Sequence, residues 1–315
     1  MKEFVSSIRK RGIQLTNRMM GREASRILPS FKDKTVRAKA VAIHRFTRSL
    51  GLVQRTATHT VQKHFTEMTD KSKDFISMIR VKVQGRDPNN ILNMDKMPVP
   101  YSYHSNKMLE AIGSKSIQHR SSTSETKCVT LATTVTASGR MLTPFLIFKG
   151  VPHGQITKLK FVMFPEEGKY ACQPKAWMDE GMMNAWIEVI LKPWKDHRDA
   201  NNPSIQPPIL VLDAYNVHQM GSVVNRIQSM GIEVVHIPAG CTYLCQPIDV
   251  GINKPIKTRV RERWEDWMMD GGGVEDGVAK EPSRKMVAEW VVETYTAMPE
   301  TIGRNAWMKT GFEWF

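Results

Sequence analysis

The sequence predicts an α/β protein, a mixed β-sheet with helices packed on its faces, preceded by a small all-α module. Three observations carry this. Basic residues crowd the first sixty positions. Apolar runs with strand character begin after residue 89. Those runs then alternate with segments whose apolar residues recur at helical spacing.

Residues 1–57 read as short helices joined by tight turns. Phe4, Val5, Ile8 and Ile13 form a first apolar set, and Ala38, Ala40, Val41, Ile43, Phe46, Leu50 and Leu52 line one face of a second, with Gly12 and Gly51 where helices can stop. Residues 1–60 hold fourteen Lys and Arg against three acids, which is most of the chain's formal charge of +14. Short helices with one basic face suit a helix-turn-helix module, with Arg9, Lys10, Arg11, Arg37, Lys39, Arg45 and Arg48 as candidate DNA contacts. The competing reading is a solvated basic bundle with no specific partner.

Residues 58–88 read as a polar helical linker that ends at Gly85–Arg86–Asp87–Pro88. A short apolar run, 90–94, then ends in Asp95. The Val- and Thr-rich stretch from Cys128 to Thr136, the turn Ala137–Ser138–Gly139 and the run from Arg140 to Phe148 together read as a hairpin. Helical spacing follows from Trp177 to Trp194. Residues 208–212 are apolar throughout, as a strand buried on both faces is, and they end in Asp213. A helix over 217–230, a strand over 232–237, a helix from Ile248 to Met269 closed by three glycines, and a Trp-rich helical tail complete the order. Trp177, Trp186, Trp194, Trp264 and Trp267 read as core residues rather than base-stacking platforms.

The 315 residues suffice for one large domain and a smaller one, and 41% hydrophobic with 24% charged residues is globular composition. No apolar stretch approaches the roughly 20 residues that span a bilayer, so no membrane partner is expected. Arg9, Lys10 and Arg11 break any early apolar run, so no signal peptide is expected. Four cysteines in a chain of this size suit a reducing compartment. Cys241 and Cys245 with His218 and His236 raise zinc, but a second ligand pair at finger-like spacing is missing.

Asp95 and Asp213 each close an apolar run, and neighbouring parallel strands would bring them to one sheet edge. Asp249 opens the helix after Gln246–Pro247, where the positive helix end favours an anion. An aspartate at a strand end is by itself often a turn former or a cap. Three gathered carboxylates repel one another unless cations neutralise them, and hard oxygen donors suit Mg²⁺ or Mn²⁺. Two such ions roughly 3.5–4 Å apart serve phosphoryl transfer by activating the attacking oxygen and stabilising the leaving one.

Three connected phrases surround these acids. They are Asn93–Met94–Asp95; Leu210–Val211–Leu212–Asp213 with His218 five residues on; and Gln246–Pro247–Ile248–Asp249 followed by Asn253–Lys254–Pro255–Ile256–Lys257. With 35 residues between Asp213 and Asp249, the chain from about 89 to 265 resembles the DDE superfamily endonuclease domain of pogo-like transposases of the Tc1/mariner group. The stretch from Ile8 to Ala57 resembles the second half of a CENP-B/Tc5-type helix-turn-helix domain, and Trp290 with residues 305–311 looks like the family's C-terminal region.

The resemblance implies an RNase H-like fold and a DDD site of Asp95, Asp213 and Asp249 that uses two Mg²⁺ or Mn²⁺ ions. Strand cleavage at transposon ends and strand transfer would follow, with water and then a DNA 3′-hydroxyl as nucleophiles. The implied partner is double-stranded DNA, both terminal repeats and target, in an assembly compatible with a homodimer, and the implied compartment is the nucleus. His218, Lys254 and Lys257 join the candidate DNA contacts. Lys96 and Ala214 depart from the family pattern, in which Glu or Gln follows the first acid and Asn often follows the second. A second function therefore stands beside the first, a transposase-derived DNA-binding protein without catalysis. The expected domains are 1–57, 58–88 as linker, 89–270 as endonuclease and 271–315 as helical extension.

Overall fold

The computed structural model describes residues 1–10, 15–53, 65–103, 127–152, 154–201, 206–272, 274–275 and 278–312. The chain divides into two compact units, Met1–Asp70 and Lys71–Phe315.

In the first unit α1 (Lys2–Lys10), α2 (Asn17–Ile27) and α3 (Val36–Ser49) pack around Val5, Met20, Phe31 and Ile43. Thr16 and Thr35 cap α2 and α3 by accepting the N–H of Met19 and Ala38, each at 3.2 Å, which satisfies donors that a helix start leaves open. Gly51, at φ +65°, follows α3 as the left-handed stop expected of it. Gly12 and Ile13 lie outside the described residues.

Helix α4 (Phe65–Val83) runs across the division at Asp70, and its part in the second unit buries Phe75, Ile79 and Val83. Strands β1 (Ile91–Pro100), β2 (Cys128–Thr136), β3 (Phe145–Lys149), β4 (Lys169–Gln173), β5 (Ile209–Leu212) and β6 (Glu233–His236) form one sheet in the order β4-β3-β2-β1-β5-β6. β2 and β3 are antiparallel, as the hairpin pattern requires, and β1, β5 and β6 run parallel. The sheet is mixed and helices cover it, as expected. One face is packed by α5 (Glu180–Trp186), the π-helical turn Ile187–Leu191 and α7 (Gly221–Ser229), with α6 (Lys192–Asn201) between them in sequence. Met183, Trp186, Ile190, Val223 and Ile227 meet Leu92, Met94, Leu210 and Leu212 there. Trp186 also donates its Nε1–H to Thr134 Oγ1 at 3.2 Å, so its polar atom is satisfied in the core.

After β6 come the short helix α8 (Thr242–Cys245), the π-helical turn Ile248–Ile252 and α9 (Asn253–Met269), which buries Asn253, Ile256, Val260 and Trp264 along one stripe. A two-residue ladder of β7 (Val274–Glu275) and β8 (Val278–Ala279), then α10 (Arg284–Thr296) and α11 (Glu300–Lys309), follow.

Two expectations change. Asp95 lies inside β1 rather than at its end. Pairing with β5 stops at Asn93↔Val211, whereas antiparallel pairing with β2 continues to Pro100. Trp177 is 61% exposed rather than core, with the Lys175 ammonium 5.1 Å from its ring centre. No described helix is long and apolar enough to cross a membrane.

Candidate metal centre

The parallel register Ile91↔Ile209, Leu92↔Leu210 and Asn93↔Val211 ends two residues short of both Asp95 and Asp213, and the charge of Asp213 acts on Asp95. Asn93 and Asp95 leave β1 on the same face. Asn93 bonds both ways, its Nδ2 donating to Val211 O at 2.9 Å and its Oδ1 accepting the Ile248 N–H at 3.2 Å. That buried amide ties β1 and β5 to the turn that carries Asp249. One helical turn beyond Asp249, Asn253 Nδ2 reaches Asp249 Oδ1 at 2.8 Å and Asp95 Oδ2 at 3.2 Å. Asn253 Oδ1 is buried without a hydrogen-bond partner.

Asp213 is turned toward its own chain. Its Oδ1 accepts the Tyr215 N–H at 3.1 Å and pairs with His218 Nδ1. His218 is fully buried on the short 3₁₀ turn Asn216–Gln219, and its carbonyl accepts from His236 Nε2 at 2.9 Å. Burial pushes the Asp213 carboxyl up, but the His218 hydrogen bond, its charge and Lys96 outweigh this and hold it below the usual range.

Asp95 behaves oppositely. Burial, then the charge of Asp249, then that of Asp213, raise its pKa to about 7 against the partial relief of the Lys96 N–H and ammonium. Asp95 therefore keeps a proton in the folded chain between about pH 4 and 7 that the unfolded chain has released. Its contribution to stability is full below about pH 4 and is lost as pH rises through about 7. In EDTA, the urea midpoint of the wild-type chain should fall more between pH 5 and pH 8 than that of Asp95→Asn. Parallel pH profiles would contradict the assignment.

Hard carboxylate oxygens, mutual repulsion that a cation would relieve, and a buried carbonyl oxygen at Asn253 fit a divalent metal. Among the described residues, no group of three His, Cys, Asp or Glu side chains stands close enough to grip one ion together. Asp213 is turned to His218, and the charges of Asp249 and Asp213 act on Asp95. Asn253 lies between Asp95 and Asp249, and the Lys96 ammonium feels all three aspartates.

The other candidate residues belong to other elements. Arg37, Arg45 and Arg48 are exposed on α3, while Lys39 donates to Lys32 O at 2.7 Å. Arg11 lies outside the described residues, as do the side chains of Arg9 and Lys10. On α9, Lys254 is exposed and Lys257 half-buried. Cys241 and Cys245 are buried and stand outside any disulfide. Sequence reasoning passed over Asn253, Asn93 and Tyr215 as site residues. Asn253 carried a usable signal, because its spacing of four from Asp249 places both on one helical face.

The family model for the DDE superfamily endonuclease matches residues 125–307, more than half of the chain, including Asp213 and Asp249 and beginning after Asp95. The chain belongs to the DDE superfamily endonuclease family. It is 26% identical over 304 residues to the human (Homo sapiens) protein "Pogo transposable element with KRAB domain" and 25% identical to the Mus musculus protein of that name. Each alignment covers 94% of this chain and 48% of the relative, so the chain spans about half the length of the curated relatives it matches. Among solved structures, "Mos1 transposase paired-end complex with left transposon end" superposes with a TM-score of 0.55 at 12% identity, covering 93% of this chain and 76% of that one. "Crystal structure of the mariner Mos1 paired end complex with Mg" gives 0.53 at 13% identity, covering 96% and 78%. The fold is the RNase H-like mixed sheet shared with these Mos1 transposase chains, and the pogo-like (Tc1/mariner) resemblance has the support of sequence and fold together.

Proposed function

We propose that this chain is the DNA-cutting part of a transposase, and that Asp95, Asp213 and Asp249 hold Mg²⁺ or Mn²⁺, two ions, for strand cleavage and strand transfer at transposon ends. The observation that carries this is the Asn253 amide that ties Asp95 to Asp249, together with the parallel β1–β5 pairing that leads toward Asp95 on one strand and Asp213 after the other. When bound, the ions supply activation of an attacking oxygen and stabilisation of a leaving one. His218 orients the Asp213 carboxylate and holds it ionised. Asn253 holds Asp249 and Asp95 in register, and Asn93 fixes the strand pair to the turn beneath them. The complexes named for Mos1 agree with transposon-end DNA as substrate and with a divalent metal.

The first unit is the DNA-gripping module in this reading, a helix-turn-helix of CENP-B/Tc5 type. Arg37, Val41 and Arg45 line an open groove on α3 with Lys34, Thr35 and Ala38. Val41 is 44% exposed, an apolar side chain between two arginines, as suits a helix laid into a major groove. Arg45→Ala should weaken duplex binding at 100 mM salt and reduce the salt slope by about one. An unchanged slope would move the DNA contact elsewhere. The nucleus is the compartment that goes with this reading.

The decisive test is nicking of a plasmid bearing terminal repeats, with Mg²⁺ or Mn²⁺ against EDTA. Divalent-dependent nicks support the reading, and DNA binding without nicks in either metal contradicts it. The position of Lys96 among the acids favours that second outcome, a DNA-binding protein derived from a transposase.

A further inference from the structure

Lys96 follows Asp95 in β1 and so leaves the strand on the opposite face. Its ammonium nevertheless reaches the Asp213 end of the sheet, where Nζ lies 3.4 Å from the centre of the Tyr215 ring. That ring is itself fixed. The Tyr215 N–H donates to Asp213 Oδ1 at 3.1 Å, and the ring meets His218 edge-on at 5.6 Å between centres. An aromatic face this close attracts a cation and gives it a defined seat. The seat lies two residues beyond Asp213; burial pushes the Lys96 pKa down, while the charges of Asp213, Asp95 and Asp249 all act on the ammonium in the opposite sense.

We infer that the Lys96 ammonium, seated on Tyr215, is a built-in counter-charge to Asp95, Asp213 and Asp249 that sets how tightly they bind a divalent cation. The inference rests on the metal-centre reading above. A fixed positive charge beside three carboxylates repels an incoming divalent ion and already supplies part of the neutralisation that the ion would bring. Removing it strengthens metal binding and leaves the acids less well balanced without metal. Lys96 thus acts through the aspartates and is a positioning residue for charge.

The test is titration of the full chain with Mn²⁺, followed by electron paramagnetic resonance of free Mn²⁺ and by calorimetry. Lys96→Gln should bind Mn²⁺ about tenfold more tightly than wild type, equivalent to about 1.4 kcal/mol. Lys96→Arg, which keeps the charge, should bind as wild type does. Tyr215→Leu, which removes the seat and frees the ammonium to move toward solvent, should shift affinity in the same direction as Lys96→Gln but less. In EDTA, Lys96→Gln should melt below wild type, and saturating Mn²⁺ should close the gap. Equal Mn²⁺ affinity of Lys96→Gln and wild type, with binding lost in Asp213→Asn, would overturn the role of Lys96 and leave the metal centre standing. Absence of Mn²⁺ binding in wild type and Lys96→Gln alike, or binding untouched by Asp213→Asn, would overturn both.

Discussion

Asp213→Asn removes divalent-dependent nicking, with an expected loss of roughly a thousandfold or more, the upper scale for deleting one group that stabilises charge in a transition state. The substitution is nearly isosteric. An Asn at 213 can still accept the Tyr215 N–H through its amide oxygen, so the turn after β5 should persist. What disappears is the negative charge beside Asp95 and its ion pair with His218. Duplex affinity, assigned to the basic face of α3, should stay within about threefold of wild type. The separation of the two readouts distinguishes a lost centre from a lost fold. Nicking that survives in Asp213→Asn would remove Asp213 from the chemistry.

The second large effect is structural. Gly303 sits in the interior of α11 directly against the β2–β3 turn. A Cβ at Gly303 would lie 2.5 Å from the Gly139 carbonyl oxygen and 2.8 Å from its Cα. Gly139 has φ +97°, a conformation that side chains rarely adopt, and a Cβ there would collide with the Glu300 carbonyl in return. Backbone faces backbone, so no flexible side chain can yield. The same helix supports the site, because Gly251, two residues beyond Asp249, packs against Ala306 with room for no more than a hydrogen. Gly303→Val should therefore cost at least about 3 kcal/mol, the upper end for overpacking. That is a large share of the roughly 5–15 kcal/mol of a typical domain. Thermal unfolding should show a drop of several degrees or loss of soluble protein, and nicking should fall with it. A melting point within about a degree of wild type would show that α11 can move away freely.

Much of the fold was legible because its signals are local. Residues 209–212 are apolar throughout and buried on both faces, as their composition states, and Asp213 ends the strand because nothing after it pairs with β6 in register. The hairpin of β2 and β3 and the long helix α9 followed from Val/Thr content, Ala137–Ser138–Gly139 and apolar spacing. β4 was not legible. It is a five-residue edge strand with a single fully buried residue, Cys172, held by an aromatic cluster of Phe148, Phe161, Phe164 and Tyr170 that no pattern within the strand encodes. The end of β1 was misplaced for a related reason. Pairing with β5 ends at Asn93, two residues before Asp95, whereas pairing with β2 runs on to Pro100, and a sequence does not say which neighbour decides.

At the site, the three acids were visible as ends of apolar runs and within their phrases, as was His218, whereas the contacts that manage their charge were not. Asn253, His218 and Tyr215 act through contacts that depend on how two strands and a helix meet. Lys96 was visible as a charge beside Asp95, but its reach to the Tyr215 ring is a matter of tertiary packing.

The most direct measurement is the anomalous scattering of Mn²⁺ in crystals of the wild-type chain soaked in that ion. The account predicts manganese peaks with carboxylate oxygens of Asp95, Asp213 and Asp249 as ligands, and loss of those peaks in Asp213→Asn. Crystals that bind no manganese at these aspartates, or that bind it at other residues, would contradict it.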